Sequence, residues 1–364
     1  MLRVIISPAK KMLAGLESPV PLEVPAMLDR SRELLDLLLS MGDDELQALW
    51  KVSDRLLGPC LDALRELGRD GLPGEGAAVS RAVARGASLL ASPAEPLDLA
   101  SRPAFPAEPN GLGHPLASPA VLSYSGIQYQ SMAPAVMDAS ALSWLSDHLR
   151  IVSGLYGCLR PFDAVAPYRL EMGARMPAGR RWPGGARTLY DYWGDAIARE
   201  ACSMGDAPGY EGSGVSAGNS CGCEVTSALV AEPPAVCPSS VPCGKPSGPQ
   251  GMVGLPAHGS GSRCLAGPFQ FVNLASVEYA KAVIPRLSSE IRVTTCLFAE
   301  GLRDGHPVQR STASKAARGS MVRWMAEHGV VDAGELRAFD VGYRLVPDLC
   351  HEEGAGCVLV FLRS

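Results

Sequence analysis

The chain lacks the segments that would place it in or across a membrane. It has no run of about 18 uncharged apolar residues, which a membrane-spanning helix requires. Its N-terminus lacks the basic start and following apolar stretch of a secretory signal peptide. We therefore expect a cytoplasmic protein that does not associate with membranes.

Motifs of several common enzyme classes are also missing. The chain contains no Walker loop, no H-E-x-x-H and no G-x-G-x-x-G after an apolar strand. Its six histidines are scattered without the spacing of metal ligands. We therefore predict no metal site and no cofactor, and we favour a binding protein over an enzyme.

Cysteine is abundant, but its arrangement fits neither disulfides nor zinc. The 11 cysteines are an odd number, which argues against a closed set of intramolecular disulfides. Six of them lie in residues 201–266, a tract dominated by Gly, Ser, Pro and Ala. A zinc site that includes His258 is the alternative, but no C-x2-C pair is present. We predict a disordered insertion at 201–266.

A second segment, residues 71–118, is rich in Pro, Ala and Gly and is predicted to be a flexible insertion. Because loops accept extra length at small entropic cost, both insertions should leave the core topology intact.

Outside these segments, short apolar runs alternate with amphipathic patterns. Strands are predicted at Leu2–Ile6, Ala120–Tyr124, Phe269–Leu274, Ile291–Phe298 and Cys357–Leu362. Helices are predicted at Met27–Leu39, Asp44–Leu57, Ala141–Leu149, Tyr190–Glu200, Val277–Ile284 and Lys315–His328. The alternation predicts a mixed α/β fold in one compact domain.

The run from Ile151 to Gly173 mixes residue types that no amphipathic element requires. Gly154 and Gly157 allow a tight turn or a close approach of a ligand. Pro161 keeps Arg160 extended, and Pro167 restrains the backbone ahead of Tyr168 and Arg169. Arginine suits phosphate, and tyrosine can stack on a base. The alternative is that Arg160 and Arg169 form structural ion pairs with Asp163 and Glu171, and the residues alone leave both open.

This run closely resembles the signature of the YaaA peroxide-stress family, which carries SGLYG-x-LRP-x-D and PYRLEMG in tandem. Four further segments resemble family motifs in the same order: Ile6–Lys10 (ISPAK), Leu189–Asp195 (LYDYWGD), Asn273–Lys281 (NLASVEYAK) and Lys315–Gly319 (KAARG).

The resemblance implies a single domain with a central mixed sheet wrapped by helices. It also implies a DNA-binding protein of the response to hydrogen peroxide, which limits damage to DNA and is associated with lowered intracellular free iron. Duplex or branched DNA is the expected partner, and we favour a monomer. The alternative function is an enzyme whose basic cleft acts on a nucleotide, nucleic acid or other phosphorylated substrate.

The candidate residues combine the motifs with the basic positions of the predicted helices. The candidates for binding DNA or another anion are Lys10, Lys51, Arg55, Arg160, Tyr168, Arg169, Lys315 and Arg318. The candidates for shaping the site are Gly154, Gly157, Glu171 and Asn273. If the grouping is correct, Lys10, Arg160, Arg169, Lys315 and Arg318 should line one cleft.

The first two predicted helices resemble the helix-hairpin-helix-like element of the family. Such a unit binds phosphate through backbone N–H groups at the turn between the helices. Here Asp43 and Asp44 stand where phosphate would approach, so an ordinary helical hairpin is an equal alternative. The segment Arg169–Arg187 is rich in arginine, and its stretch Pro177–Arg187 is predicted to be a mobile loop that follows a polyanion or, alternatively, a solvated surface loop.

Two positions depart from the family pattern. Ile127 replaces the aspartate of the family's Gly-Asp-x-Tyr, so a metal-binding or hydrogen-bonding role of that carboxylate is absent here. Ala313 and Ala316 replace a tyrosine and a second lysine that the family often has beside K-x-ARG.

Overall fold

The computed structural model describes residues 1–75, 114–203, 269–354 and 356–364. The predicted insertion at 201–266 lies almost entirely outside these ranges, as does most of the one at 71–118. The two described ends of the latter pack into the interior, since Leu72, His114 and Ala117 are all buried.

The described strands are β1 (Leu2–Ile6), β2 (Lys11–Met12), β3 (Ser118–Pro119), β4 (Tyr124–Ser125), β5 (Leu149–Ser153), β6 (Gly157–Leu159), β7 (Ala164–Val165), β8 (Gln270–Asn273), β9 (Arg292–Ala299), β10 (Gly301–Arg303), β11 (His306–Val308), β12 (Tyr343–Leu345), β13 (His351–Glu353) and β14 (Gly356–Arg363).

The described α-helices are α1 (Leu28–Leu39), α2 (Asp43–Trp50), α3 (Asp54–Asp70), α4 (Ala120–Ser123), α5 (Ile127–Met132), α6 (Ala139–His148), α7 (Leu189–Trp193), α8 (Ala196–Cys202), α9 (Val277–Ala280) and α10 (Ser311–His328). Short 3₁₀ helices occur at Pro134–Val136, Pro183–Gly185, Ile284–Arg286, Ala333–Ala338 and Pro347–Leu349. None of the helices in the described ranges is long and apolar enough to cross a membrane.

An eight-stranded mixed sheet forms the centre of the fold, in the order β12-β14-β9-β8-β1-β5-β6, with β13 paired to β14. Strands β14, β9, β8, β1 and β5 run parallel, and β12, β13 and β6 are antiparallel to their neighbours. Strand β1 (LRVII) is buried along its whole length, because central parallel strands are covered on both faces. The predicted mixed α/β fold is therefore confirmed.

Successive parallel strands are added first on one side of β1 and then on the other, so the strand order reverses once. From β1 the chain reaches β5 on one side, and it then crosses to β8 on the other side and continues outward through β9 and β14. In open α/β sheets, ligands bind outside the carboxyl ends of the strands at the point where the order reverses. In this sheet that point lies between β1 and β8.

Helix α10 is fixed close to this point by its contact with α5. A Cβ atom on Gly319 would lie 1.9 Å from the carbonyl oxygen of Gln128 and 3.0 Å from the backbone nitrogen of Met132. Only glycine permits the two helix backbones to approach so closely. Gly319 therefore sets the distance between the two helices, and with it the position of the turn of α10 that carries Lys315 and Arg318.

Four of the predicted elements were wrong in detail, and one of them is the helix over Val277–Ile284, which ends at Ala280. The strand predicted over residues 120–124 is mostly helical: Ala120–Ser123 forms one helical turn and only Tyr124 is in a strand, since a short buried apolar run fits either structure. The helix predicted over Asp44–Leu57 is two helices, separated at Lys51, whose backbone is left-handed. The helix over Tyr190–Glu200 is likewise broken at Gly194, where φ is +48°.

Candidate functional site

A cavity of about 550 Å³ lies at the carboxyl ends of β1 and β8. The segment after β1 and the segment after β8 form two of its walls, and α5, α10 and residues 168–171 complete it. Its volume is in the range of small-molecule and cofactor sites. The fold therefore provides a concave site where the strand order predicts one.

Four of the predicted cations line this cavity, namely Lys10, Arg169, Lys315 and Arg318, and the predicted Tyr168 lines it as well. Lys10 follows β1, Arg169 belongs to the segment 168–171, and the other two occupy one face of α10 at an i, i+3 spacing. Residues more than 300 positions apart in sequence thus meet at one edge of the sheet.

Glu171 holds two of these cations in place. Its Oε1 atom lies 2.8 Å from Nζ of Lys10 and 3.3 Å from Nη2 of Arg169. Lys10 is largely exposed, whereas Arg169 is mostly buried. The carboxylate therefore orients both side chains at the mouth of the cavity and neutralises only one of the two charges.

Lys315 and Arg318 have no such partner. Within the described residues, neither side chain makes a hydrogen bond or an ion pair, and Nε of Arg318 is buried without an acceptor. Burial lowers the pKa of the Arg318 guanidinium, which means that its environment disfavours the positive charge. An anion in the cavity would relieve that cost and supply the missing acceptor.

The charged side chains that line the cavity are mainly basic. Lys11 joins the four cations named above, and the acidic side chains of the lining are Glu171 and Glu278. The Glu278 carboxylate binds the protein backbone: its Oε1 atom accepts a hydrogen bond of 2.7 Å from the backbone N–H of Gly173. The site is therefore locally positive, although the whole chain has a formal net charge of −5.

A network of tyrosines closes the inner end of the site. The Tyr168 hydroxyl lies 2.7 Å from Oγ of Ser153 and 2.9 Å from the hydroxyl of Tyr124. The Tyr129 hydroxyl donates to the carbonyl oxygen of Ser7 over 2.9 Å. Burial raises the pKa of Tyr168 to about 12 and that of Tyr124 and Tyr129 well above the ordinary value. The phenols therefore stay protonated at neutral pH and act as hydrogen-bond donors and acceptors, not as bases.

Two serines join the strand ends at the reversal point. The backbone N–H of Ser276 donates to Oγ of Ser7 over 2.8 Å, and the two Oγ atoms are 3.2 Å apart. Neither serine was among the predicted site residues, nor was Tyr129. The serines could have been predicted from their position just after apolar runs that are typical of parallel strands.

Gly154 and Gly157, the predicted site-shaping glycines, are not part of the cavity lining, and both pack closely against other residues. A Cβ on Gly154 would lie 2.5 Å from the carbonyl oxygen of Leu170, so glycine lets the end of β5 pack against the segment that carries Arg169 and Glu171. Gly157 has φ of +73° at the start of β6 and would clash with Met27 and Trp193 if it carried a side chain. The tight turn expected here is a β5–β6 hairpin.

Arg160 does not reach the cavity, so the five cations do not share one cleft. Its Nη1 atom lies 2.9 Å from Oε2 of Glu23, and its Nη2 atom lies 3.8 Å from Oε1 of Glu200. Its backbone N–H donates to Oδ2 of the buried Asp163 over 2.8 Å. Arg160 therefore forms structural ion pairs, but with Glu23 and Glu200 in place of the expected Asp163. Arg169, by contrast, does pair with Glu171.

Three other predicted residues also lie apart from this cavity. Lys51 and Arg55 are exposed around the connection between α2 and α3. Asn273 lines a neighbouring cavity.

The side chain of Arg180, from a distant segment of the chain, binds at the turn between α1 and α2. Arg180 binds Glu45 at 2.6 and 2.8 Å, and Glu45 also accepts a hydrogen bond from the backbone N–H of Gly42 at the start of α2. With Asp43 and Asp44, three acidic residues occupy the first turn of α2. A phosphate at this helix N-terminus would meet their negative charge.

The profile of the family described as "Peroxide stress protein YaaA" matches residues 2–207 and 263–349 of this chain. The chain belongs to this family. The match includes every residue that lines the cavity and omits residues 208–262, which fall within the predicted insertion at 201–266.

The YaaA-family relatives found by sequence comparison carry the name UPF0246 protein. One from Lactiplantibacillus plantarum is 29% identical over 339 residues, which are 93% of this chain and 91% of that protein. One from Agathobacter rectalis is 28% identical over 350 residues, with 96% and 95% covered. One from Desulfitobacterium hafniense is 28% identical over 344 residues, with 94% and 92% covered. The similarity therefore extends over nearly the whole of each chain.

The described residues contain no candidate metal site. In these ranges no group of three or more His, Cys, Asp or Glu side chains is arranged to hold a metal ion. The described cysteines are free thiols: Cys60, Cys158, Cys202, Cys296, Cys350 and Cys357.

Proposed function

We propose that this member of the YaaA family is a cytoplasmic DNA-binding protein of the response to hydrogen peroxide, and that the cavity between β1 and β8 holds phosphate groups of DNA. The observation that carries the proposal is the pair Lys315 and Arg318, which face the cavity without a carboxylate partner among the described residues. Family membership supports the link to peroxide stress.

The chemistry of the lining fits a phosphodiester. The guanidinium of Arg318 can donate two parallel hydrogen bonds to phosphate oxygens, and Lys315 and Lys10 add positive charge at the mouth. The protonated hydroxyl of Tyr168 belongs to the same lining. A backbone phosphate is negatively charged at every physiological pH, so it can pair with the positive charges of the lining.

The exposed Lys51 and Arg55 form a second, weaker candidate contact in this proposal. They lie on the helix pair that resembles a helix-hairpin-helix element, so they could touch the DNA backbone beside the main site. The acids at the start of α2 oppose a phosphate at the turn itself. We expect the cavity residues to contribute more of the affinity than this pair.

In this proposal, the physiological outcome of the protein's action is limited peroxide damage to DNA and lowered intracellular free iron. In cells that lack the protein, low-temperature electron paramagnetic resonance should show more unincorporated iron after peroxide exposure, and DNA lesions should increase. Re-expression of the intact chain should reverse both changes. A variant with Lys315→Gln and Arg318→Gln should fail to do so.

Direct binding can be tested by fluorescence anisotropy with a labelled 20-base-pair duplex and a four-way junction at low salt. The wild-type chain should bind at least one of them, and Lys315→Gln with Arg318→Gln should weaken that binding by at least tenfold. The double variant Lys51→Gln with Arg55→Gln should have a smaller effect. Absence of binding to both DNAs at low salt would rule out the proposed function.

A second candidate is an enzyme that acts on a nucleotide or another small phosphorylated substrate. The observation in its favour is the concave shape of the cavity, combined with Glu171 placed between Lys10 and Arg169. On this hypothesis Glu171 is the acid–base group, Tyr168 a hydrogen-bond donor, and Arg160 stabilises the fold. Glu171→Gln should then abolish turnover and leave ligand binding intact. Loss of binding as well would mean that Glu171 only orients the two cations.

A further inference from the structure

A second cavity, of about 540 Å³, is lined by residues of α9, the 3₁₀ helix Ile284–Arg286 and strand β9. Arg318 lines both this cavity and the one between β1 and β8. Arg318 therefore borders both cavities. A group bound to Arg318 can extend into either of them.

The walls of the second cavity are mostly apolar. Val293 and Leu297 lie on one face of β9 and form the floor, and Ile284 and Leu287 face them from the chain that follows α9. All four side chains are only half buried. Because apolar side chains gain free energy when they leave water, a ligand with flat apolar faces would be stabilised between these walls.

Several polar side chains also line the second cavity, among them Ser288, Ser289 and the exposed Glu353. Asn273 donates through Nδ2 to Oγ1 of Thr295 over 3.3 Å, and its Oδ1 atom accepts a hydrogen bond from the backbone N–H of Ala275. Gln309 and Lys281 lie elsewhere in the lining. A mostly apolar chamber with hydrogen-bonding groups and a cation at one end fits an organic anion that carries a flat ring.

We propose that the two cavities form one site for an unpaired nucleotide of DNA: its phosphate binds Arg318, and its base occupies the second cavity. This inference rests on the proposed function and adds a structural preference to it. A base can reach such a chamber only when it is outside the base stack. Extrusion costs least where the nucleotide is already unpaired. The site therefore prefers DNA with an extrahelical or single-stranded nucleotide over a continuous duplex.

The direct test compares two labelled duplexes that differ at a single position. One carries an unpaired nucleotide at its centre, and the other carries an abasic sugar phosphate at the same place, so that both have the same number of phosphates. We expect the wild-type chain to bind the first about tenfold more tightly, because the base removes apolar surface of the cavity walls from water. Equal affinity would overturn the inference and leave the proposed function standing. No binding to either DNA would overturn both.

A variant that fills the second cavity tests where the base lies. Thr295→Phe places an aromatic ring at a half-exposed strand position that tolerates one, and it should bind the two duplexes with equal affinity. Val331→Phe adds the same ring at an exposed site away from both cavities and should keep the preference. A preference that survives in a folded Thr295→Phe protein, as judged by its circular dichroism spectrum, would place the base elsewhere and contradict the inference.

Discussion

The contrast between Arg160 and Arg169 shows how single residues acquire their roles in this fold. Both arginines lie within two residues of a proline in the same motif, so the sequence predicts the same role for each. Arg160 is bound by Glu23, a residue 137 positions earlier, whereas Arg169 lines the cavity. The roles could not be distinguished from the sequence, because contacts between distant segments of the chain decide them.

Asp163 is a buried carboxyl group whose protonation affects stability. Burial raises its pKa from the ordinary 3.8 to about 7, despite the hydrogen bond from the backbone N–H of Arg160. Between these values the folded chain holds a proton that the unfolded chain has released. Folded stability should therefore fall as the pH rises from about 4 to about 7, by up to about 1.4 kcal/mol per pH unit from this group.

Asp163→Asn should remove this contribution, because the amide oxygen can still accept the Arg160 N–H and cannot titrate. Urea unfolding at pH 5, 6 and 7 should show a slope of unfolding free energy against pH that is less negative by about 1 kcal/mol per unit. Asp138→Asn is the control: hydrogen bonds lower the pKa of this N-cap carboxylate, so its titration lies below the window. An unchanged slope in Asp163→Asn would contradict the assignment.

At the scale of elements, the main strands were predictable and the breaks in helices were less so. Runs such as Leu2–Ile6 and the residues of β9 are apolar and β-branched, and they form the centre of the sheet as predicted. The helix predicted from Tyr190 is broken at Gly194, a residue that helices tolerate poorly but do not exclude. The two-residue strands β2, β3, β4 and β7 escaped prediction, since each depends on a partner far away in the chain.

The contact between α5 and α10 gives the clearest prediction for an element. Gly319→Ala would force the two helix backbones apart, because the new Cβ would lie 1.9 Å from the carbonyl oxygen of Gln128. We expect a loss of about 3 kcal/mol in the unfolding free energy, measured by urea denaturation. The same variant should bind DNA more weakly, because α10 carries Lys315 and Arg318.

Gly58→Ala in α3 is the matched control for this substitution. Gly58 is also a helical glycine, and a Cβ there would meet no atom within 4 Å other than those of its chain neighbours and the helix backbone. The change should therefore leave the unfolding free energy within about 1 kcal/mol of the wild-type value, because the gain in helix propensity opposes the contact of a Cβ with the ring of Pro59. If both substitutions had the same effect, close packing at Gly319 could not be the reason for its glycine.

At the scale of the whole molecule, charge is distributed unevenly. The chain is acidic overall, with a formal net charge of −5, yet its cavity between β1 and β8 is lined mainly by basic side chains. Association with a polyanion depends on this local potential and not on the net charge. Composition alone could not predict the site, but the order of the family motifs identified four of its cations, because those motifs end strands or begin a helix at one edge of the sheet.

The salt dependence of DNA binding tests most directly whether this cavity holds phosphate. Each cation that neutralises a phosphate releases counterions, so the logarithm of the affinity should fall linearly with the logarithm of the salt concentration. Lys315→Gln should make that slope shallower by about 1, and Arg344→Gln, which removes an exposed charge on β12, should leave it unchanged. An unchanged slope in Lys315→Gln, or an equal change in both variants, would contradict the central claim that DNA phosphates bind in the cavity between β1 and β8.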